Sequence, residues 1–221
     1  MINAGRGIPC ALAFIAGCSL AGQATETDRI FNAGLQKAFQ NHEQTLEKQR
    51  PPLRFISGTT VETCREYLAK TETEAVAEGV DNRTVSGEYL VCDSVAALNQ
   101  GKKTGGIQYS PESYGKQLMA RLDLRTFSSS LGPRVTDEQY TLADLALDAV
   151  DHSRFQVVFD SKNWHFALEV VASRDLNGNG RDDWLLWLVD EAKAGNYRDY
   201  EVLVAYDVGS SGPIQVEPFS P

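Results

Sequence analysis

The sequence predicts an α+β fold, with a helix-rich N-terminal half packed on a C-terminal antiparallel β-meander. Before residue 123, apolar side chains recur at three- to four-residue spacing in several segments. From Arg154 onward, β-branched and aromatic residues form short blocks separated by turn signals. The 221 residues are 42% hydrophobic and 23% charged, which is enough apolar side chain for a core and outside the disordered class.

Taken in order, Thr27-Asp28 starts a helix whose stripe, Ile30, Phe31, Leu35, Phe39, His42 and Leu46, runs to Arg50. Pro51-Pro52 stops it, because the residue before a proline is pushed out of the helical region. The stripe is too short for sustained heptads, so it is expected to pack on the domain itself. Leu53 to Ile56 reads as a short strand. Thr60, with Glu62 and Thr63 nearby, opens a helix from Val61 to Glu78, and Glu88 to Cys92 reads as a strand. Gly101 to Gly106 is a loop whose Gly-Lys-Lys-Thr invites comparison with a phosphate-binding loop. That pattern needs a glycine where Ala96 stands, so a solvated turn is the better account.

Ser110-Pro111 starts a helix carrying Tyr114, Leu118, Met119 and Leu122. Ser128 to Pro133 reads as a hinge or long loop, a candidate sub-boundary within a single domain over 27–221. Thr141 to Val150 fits helix or edge strand equally poorly. The strands of the meander are expected at Arg154 to Phe159, Trp164 to Ala172, Trp184 to Val189, Tyr200 to Tyr206 and Ile214 to Val216. In Trp184-Leu185-Leu186-Trp187-Leu188-Val189 both alternating faces are apolar. That strand should be central and covered on both sides, with the helices of the first half over one face.

The first residues carry one positive charge at Arg6, an apolar run from Ile8 to Ile15, then Ala16-Gly17-Cys18. These are the parts of a secretory leader, expected to be removed as residues 1–17 and too short to anchor in a membrane. Ile15-Ala16-Gly17-Cys18 resembles the lipobox of bacterial lipoproteins. The resemblance implies lipidation of Cys18, a linker over 18–26 and a membrane anchor through several acyl chains, each buried methylene contributing about 0.8 kcal/mol. Ser19 in place of Asp implies sorting to the periplasmic side of the outer membrane. Gly22-Gln23-Ala24 offers the competing cleavage site, which would release a soluble periplasmic or secreted protein.

With Cys10 and Cys18 assigned to the leader region, Cys64 and Cys92 are left for a disulfide in an oxidising compartment, stabilising by roughly 3 to 4 kcal/mol on the chain-entropy model. Two buried thiols that never meet are the alternative. Net charge is −9, and losing Arg6 makes it more negative. An acidic surface repels nucleic acid, so a nucleic-acid partner is not expected.

Asp175-Leu176-Asn177-Gly178-Asn179-Gly180-Arg181-Asp182-Asp183 places oxygen-bearing side chains at its first, third, fifth and ninth positions, with glycine at the sixth. Calcium takes six to eight hard oxygens in a flexible shell, and the glycine allows the sharp turn that brings the seventh carbonyl inward. The segment resembles the calcium loops of EF-hands and, more closely, of integrin-type propeller repeats, where the motif joins two strands. The resemblance implies Ca2+ held by Asp175, Asn177, Asn179 and Asp183 side chains and the Arg181 carbonyl. Two departures weaken the site: Asn replaces Asp at two positions, and Leu186 stands where an EF-hand has its bidentate Glu. Affinity is then on the order of 0.1 to 1 mM. Asn-Gly is also a strong turn signal by itself, so a metal-free hairpin turn is the competing account. A single such loop does not support a multi-bladed propeller.

His42, His152 and His165 show no metal-ligand or nucleophile spacing, and neither a Gly-x-Ser-x-Gly elbow nor a zinc-protease signature is present. Adjacent acids such as Asp182-Asp183 and Asp190-Glu191 point to opposite faces of a strand and cannot flank one bond. The expectation is a non-enzymatic envelope lipoprotein that binds another protein or a cell-wall component, a periplasmic immunity protein being one form. The alternative class is an envelope hydrolase whose carboxylates assemble from distant positions.

Overall fold

The computed structural model describes residues 29–102 and 109–221. The leader-like segment, Cys18, the linker, Thr27-Asp28 and most of the Gly101–Gly106 loop lie outside them. The C-terminal meander consists of β4 (Val150–His152), β5 (Gln156–Asp160), β6 (Trp164–Arg174), β7 (Asp183–Ala192), β8 (Arg198–Ala205) and β9 (Glu217–Pro218), hydrogen-bonded in sequence order and antiparallel throughout. A seventh strand, β1 (Arg29–Ile30), pairs with Ser173 and Ala172 at the far end of β6. Thus β6, 11 residues long, meets β5 along its first half and β1 near its end, while β7 lies along its other edge.

The doubly apolar strand is central: β7 pairs with β6 and β8 along its length, and Trp184, Leu185, Leu186 and Leu188 are buried. Alternation sends Trp184, Leu186 and Leu188 to one face and Leu185 to the other. The first face packs against α6 (Tyr114–Arg121) and the segment around Leu124, Phe127, Leu131 and Leu142. The second packs against α1 (Ala33–Gln40) and α5 (Leu90–Gln100) through Leu35, Val95 and Leu98. A bulge at Val171 turns both Val171 and Ala172 toward this second face. The Val171 carbonyl accepts from Phe31 N and Asn32 N, where β1 turns into α1.

Several elements differ from the sequence-based expectation. The helix expected from Thr27 to Arg50 is instead β1, α1 and α2 (His42–Glu47), because asparagines compete with the helical backbone at both breaks. Asn32 Oδ1 accepts from Leu35 N at 3.0 Å and starts α1, and Asn41, at φ −110° and ψ 46°, ends it. The helix expected over Val61–Glu78 is shorter. Residues Thr60–Val61 form β3, paired with β2 (Leu53–Arg54), and Thr63 rather than Thr60 caps α3 (Cys64–Thr71) through its hydroxyl and Glu66 N.

The strand expected at Glu88–Cys92 is helical, a 3-10 turn over Ser86–Tyr89 leading into α5. Its β-favouring residues are overridden because Leu90, Ser94, Val95, Ala97 and Leu98 bury one helical face on the sheet. A short α4 (Val80–Val85), unforeseen in the sequence, precedes that turn. Ser113 rather than Ser110 caps α6, its hydroxyl accepting from Lys116 N at 3.1 Å. Residues 141–149 are turns leading to β4. Within Ser128–Pro133, Leu131 is buried, and Ser130 binds Asp190 of β7 through both its N–H and its hydroxyl.

Cys64 and Cys92 form a disulfide that joins α3 to α5 across 28 positions of chain. It lies in a third apolar cluster with Leu46, Leu53, Phe55, Val61, Tyr67 and Tyr89. Among the described residues, no helix is long and apolar enough to cross a membrane.

Candidate metal centre

The segment from Asp175 to Asp182 joins β6 to β7, the last register pair before it being Arg174 with Asp183. It folds around two carboxylates. Asp175 Oδ1 accepts from Gly178 N at 2.7 Å and Asn179 N at 3.0 Å, and its Oδ2 accepts from Gly180 N at 2.9 Å. Asp183 Oδ2 accepts from Leu176 N at 2.6 Å and Asn177 N at 3.2 Å, while its Oδ1 accepts from Asp207 N at 2.8 Å. Gly178 and Gly180 sit at φ +78° and +86°, the left-handed region that L side chains rarely adopt, which lets three successive N–H groups turn onto one acid.

Both acids are buried, Asp175 at 3% and Asp183 at 0% exposure, whereas Asn177, Asn179 and Arg181 are exposed. Asn177 Oδ1 accepts from Asn179 N at 3.1 Å, and Asn179 Oδ1 accepts from Arg181 N at 2.9 Å. Burial pushes the Asp183 carboxyl above its ordinary range. The three backbone N–H groups pull it down, and the charge of Asp207 pushes it up again.

The side chains of the loop offer the hard oxygen donors that a divalent cation takes. The set is all oxygen, and a carboxylate offers about four lone-pair sites, of which Asp175 and Asp183 each use three. Among the described residues, no three His, Cys, Asp or Glu side chains come together as a metal cluster. Coordination at this loop would therefore draw on the amide oxygens of Asn177 and Asn179 and the Arg181 carbonyl besides the two acids. Asp182, adjacent in sequence, is turned elsewhere: it forms an ion pair with Arg29 and accepts from Ser173 Oγ at 3.2 Å.

Two contributors escaped the sequence. Asp207, just past β8 and at φ +53°, donates its N–H to Asp183 and accepts from Asn179 Nδ2 at 2.7 Å. Only the β7–β8 register, with Trp184 opposite Ala205, brings it there. Lys102 donates its backbone N–H to the Asp175 carbonyl at 2.8 Å, and its ammonium stands over Gly178, 3.5 Å from where a Cβ on that glycine would be. A lysine cation at the loop's tip opposes a second cation there.

The remaining acids are dispersed. Asp190 is buried and accepts from Ser130 N, Ser130 Oγ and Tyr197 OH, while Glu191 on the opposite face accepts from Tyr200 OH. Asp93 on α5 accepts from Tyr67 OH through Oδ2, and its Oδ1 is buried without a hydrogen-bond partner. Burial pushes Asp93 up to about 7, with the charge of Glu201 on β8 adding to the shift. Glu201 is likewise pushed up to about 7 by burial and by Asp199. A cleft beside Asp199 is lined by Glu78, Arg83 and Tyr197 but by neither Asp93 nor Glu201. His42 shares a hydrogen bond with Asn99, and His165 with Asp160. No protein family, curated protein or solved structure matches this chain.

Proposed function

We propose that this chain is a cell-envelope lipoprotein, anchored through Cys18 on the periplasmic side of the outer membrane, that binds another protein or a cell-wall component without catalysis. In this reading the helix-rich first half forms a packed cover on the meander, and the Asp175–Asp183 loop holds Ca2+ as a structural brace for the β6–β7 hairpin. What supports the calcium assignment is the gathering of oxygen donors, with Asp175 and Asp183 buried, in one turn between β6 and β7; the six backbone N–H groups that these acids accept serve a metal-free hairpin turn equally well. Bound Ca2+ would supply charge neutralisation for Asp175 and Asp183 and cross-link the two ends of the loop. The disulfide is in keeping with an oxidising compartment, and the lipobox-like Ile15-Ala16-Gly17-Cys18 is the ground for the anchor. A soluble periplasmic or secreted form is the outcome if Gly22-Gln23-Ala24 is cut instead.

Calorimetric titration of the chain with CaCl2, before and after Asp175→Ala, tests the loop. Saturation in the range of about 0.1 to 1 mM, lost in the variant, supports it. A flat titration of the wild-type chain ends the calcium reading. In cells, a palmitate analogue should label the wild-type chain and not Cys18→Ser; equal labelling of both ends the anchor.

A further inference from the structure

A cleft of about 710 Å3 opens between α1–α2 and the turn that leads into α5. Its floor is apolar, formed by Ala38 of α1, Leu90 and Val91 of α5, and the Trp187 indole of β7. That indole is fixed: Nε1 donates to Ser94 Oγ at 2.7 Å, and the Ser94 hydroxyl donates to the Leu90 carbonyl at 2.7 Å. The rim is cationic, carrying Lys37, Lys48 and Arg50 against one carboxylate, Glu88.

The rim carries more cations than acids: three against Glu88, whose charge acts on Arg50. Arg50 gives its guanidinium to the Glu88 backbone carbonyl at 2.6 Å and to Cys64 Sγ at 3.2 Å. Among the described residues, neither Lys37, Lys48 nor Arg50 has a carboxylate within ion-pair distance. The nearby acids of α2, Glu43 and Glu47, are turned instead to Arg65 of α3. A chain of net charge −9 thus gathers three cations around one apolar floor, with Glu88, whose charge acts on Arg50, as the one acid in the lining. Like charges so placed repel one another, and an anion among them converts that repulsion into attraction.

We propose that this cleft binds a small organic anion with an apolar body, its carboxylate or phosphate on the Lys37–Lys48–Arg50 rim and its hydrocarbon or aryl part on Trp187 and Leu90. The volume lies within the roughly 300 to 1,000 Å3 of small-molecule sites, and the lining joins four apolar side chains to the three cations and the polar Asn41, Gln44 and Thr45. This goes beyond the binding-protein reading and does not depend on the calcium loop, so either can fail alone.

The test uses the full chain with decanoate, decyl phosphate, decyltrimethylammonium and inorganic phosphate, followed by calorimetry and tryptophan emission. Decanoate and decyl phosphate are expected to bind saturably with an emission change, the preferred one naming the headgroup. The decyl cation and inorganic phosphate should bind at least roughly tenfold more weakly. Lys37 and Lys48 are exposed, so Lys37→Glu with Lys48→Glu should leave the circular dichroism spectrum intact and weaken decanoate about tenfold or more. Trp187→Phe should lose the emission change while retaining calorimetric binding. Wild-type affinity in the charge-reversed chain, equal binding of the decyl cation, an emission change that survives Trp187→Phe, or a titration that never saturates would each overturn the proposal.

Discussion

Asp93 gives the most direct physical test of the packing between α3, α5 and β8. Its carboxyl is pushed up to about 7 by burial, with one oxygen lacking a hydrogen-bond partner, and burial pushes the nearby Glu201 up to about 7 as well. An ordinary Asp in the unfolded chain titrates near 4. Between pH 4 and 7 the folded protein therefore holds a proton that the unfolded chain has released, and stability falls as pH rises through that window. The contribution is full below pH ~4 and gone above ~7, with the Glu201 effect running the same way. Three pH units at about 1.4 kcal/mol each set a ceiling near 4 kcal/mol. Asp93 retains some exposure, and relaxation and water access lower the expected value to about 1 to 3 kcal/mol.

Asp93→Asn keeps an acceptor for Tyr67 OH and removes the charge. At pH 8 it should be more stable than wild type by about 1 to 3 kcal/mol, a rise in Tm of roughly 2 to 12 °C for a chain of this size. Urea denaturation at half-unit pH steps from 4 to 8 gives the measurement. The stability of the variant should fall less steeply with pH than that of the wild type. If Asp93→Asn is less stable than wild type at pH 8, or if its pH profile is superimposable on the wild type's, the carboxyl is not desolvated and the reasoning fails.

Other perturbations read out other parts of the fold. At Gly115, a Cβ would stand 2.2 Å from the Gln156 carbonyl oxygen and 2.5 Å from that of Ser153, so Gly115→Ala should force α6 off β5 and cost about 2 kcal/mol or more by thermal melting; an unchanged Tm refutes the close approach. Ser130→Ala leaves Asp190 with Ser130 N and Tyr197 OH but without one hydroxyl donor, and should cost about 1 to 2 kcal/mol in urea denaturation, whereas a neutral result means water replaces the hydroxyl. If the loop binds calcium, Lys102→Gln should raise its affinity by roughly three- to tenfold, as one opposing positive charge is removed; calorimetry showing weaker binding would mean Lys102 matters only through its backbone bond to Asp175. Reduction of Cys64–Cys92 should lower stability by about 3 to 4 kcal/mol, read as a dithiothreitol-dependent loss of Tm.

What the sequence made legible follows from periodicity and side-chain burial. Trp184 to Val189 announces a central strand because both of its faces are apolar, and β5, β6 and β8 follow from blocks of β-branched and aromatic residues between turn signals. α5 was illegible because Tyr89-Leu90-Val91-Cys92 favours a strand locally, and only the sheet beneath it selects the helical spacing of Leu90, Ser94 and Leu98. The break at Asn41 is a single-residue backbone choice inside an unbroken apolar stripe. At the loop, the spacing of Asp175 to Asp183 is visible in the chain, but Asp207, Lys102 and the Arg29–Asp182 pair come from distant positions, and only strand register brings them in.

The position of β1 has a mechanical consequence. The chain enters the described fold at Arg29, whose guanidinium grips Asp182 at the foot of the β6–β7 hairpin, and Arg29 and Ile30 pair with Ser173 and Ala172 near the end of β6. Among the described residues, tension applied at Arg29 would load the β1–β6 pairing before it loads α1. With the pulling handle attached at position 29, loss of β1 should appear as a short extension before α1 unfolds.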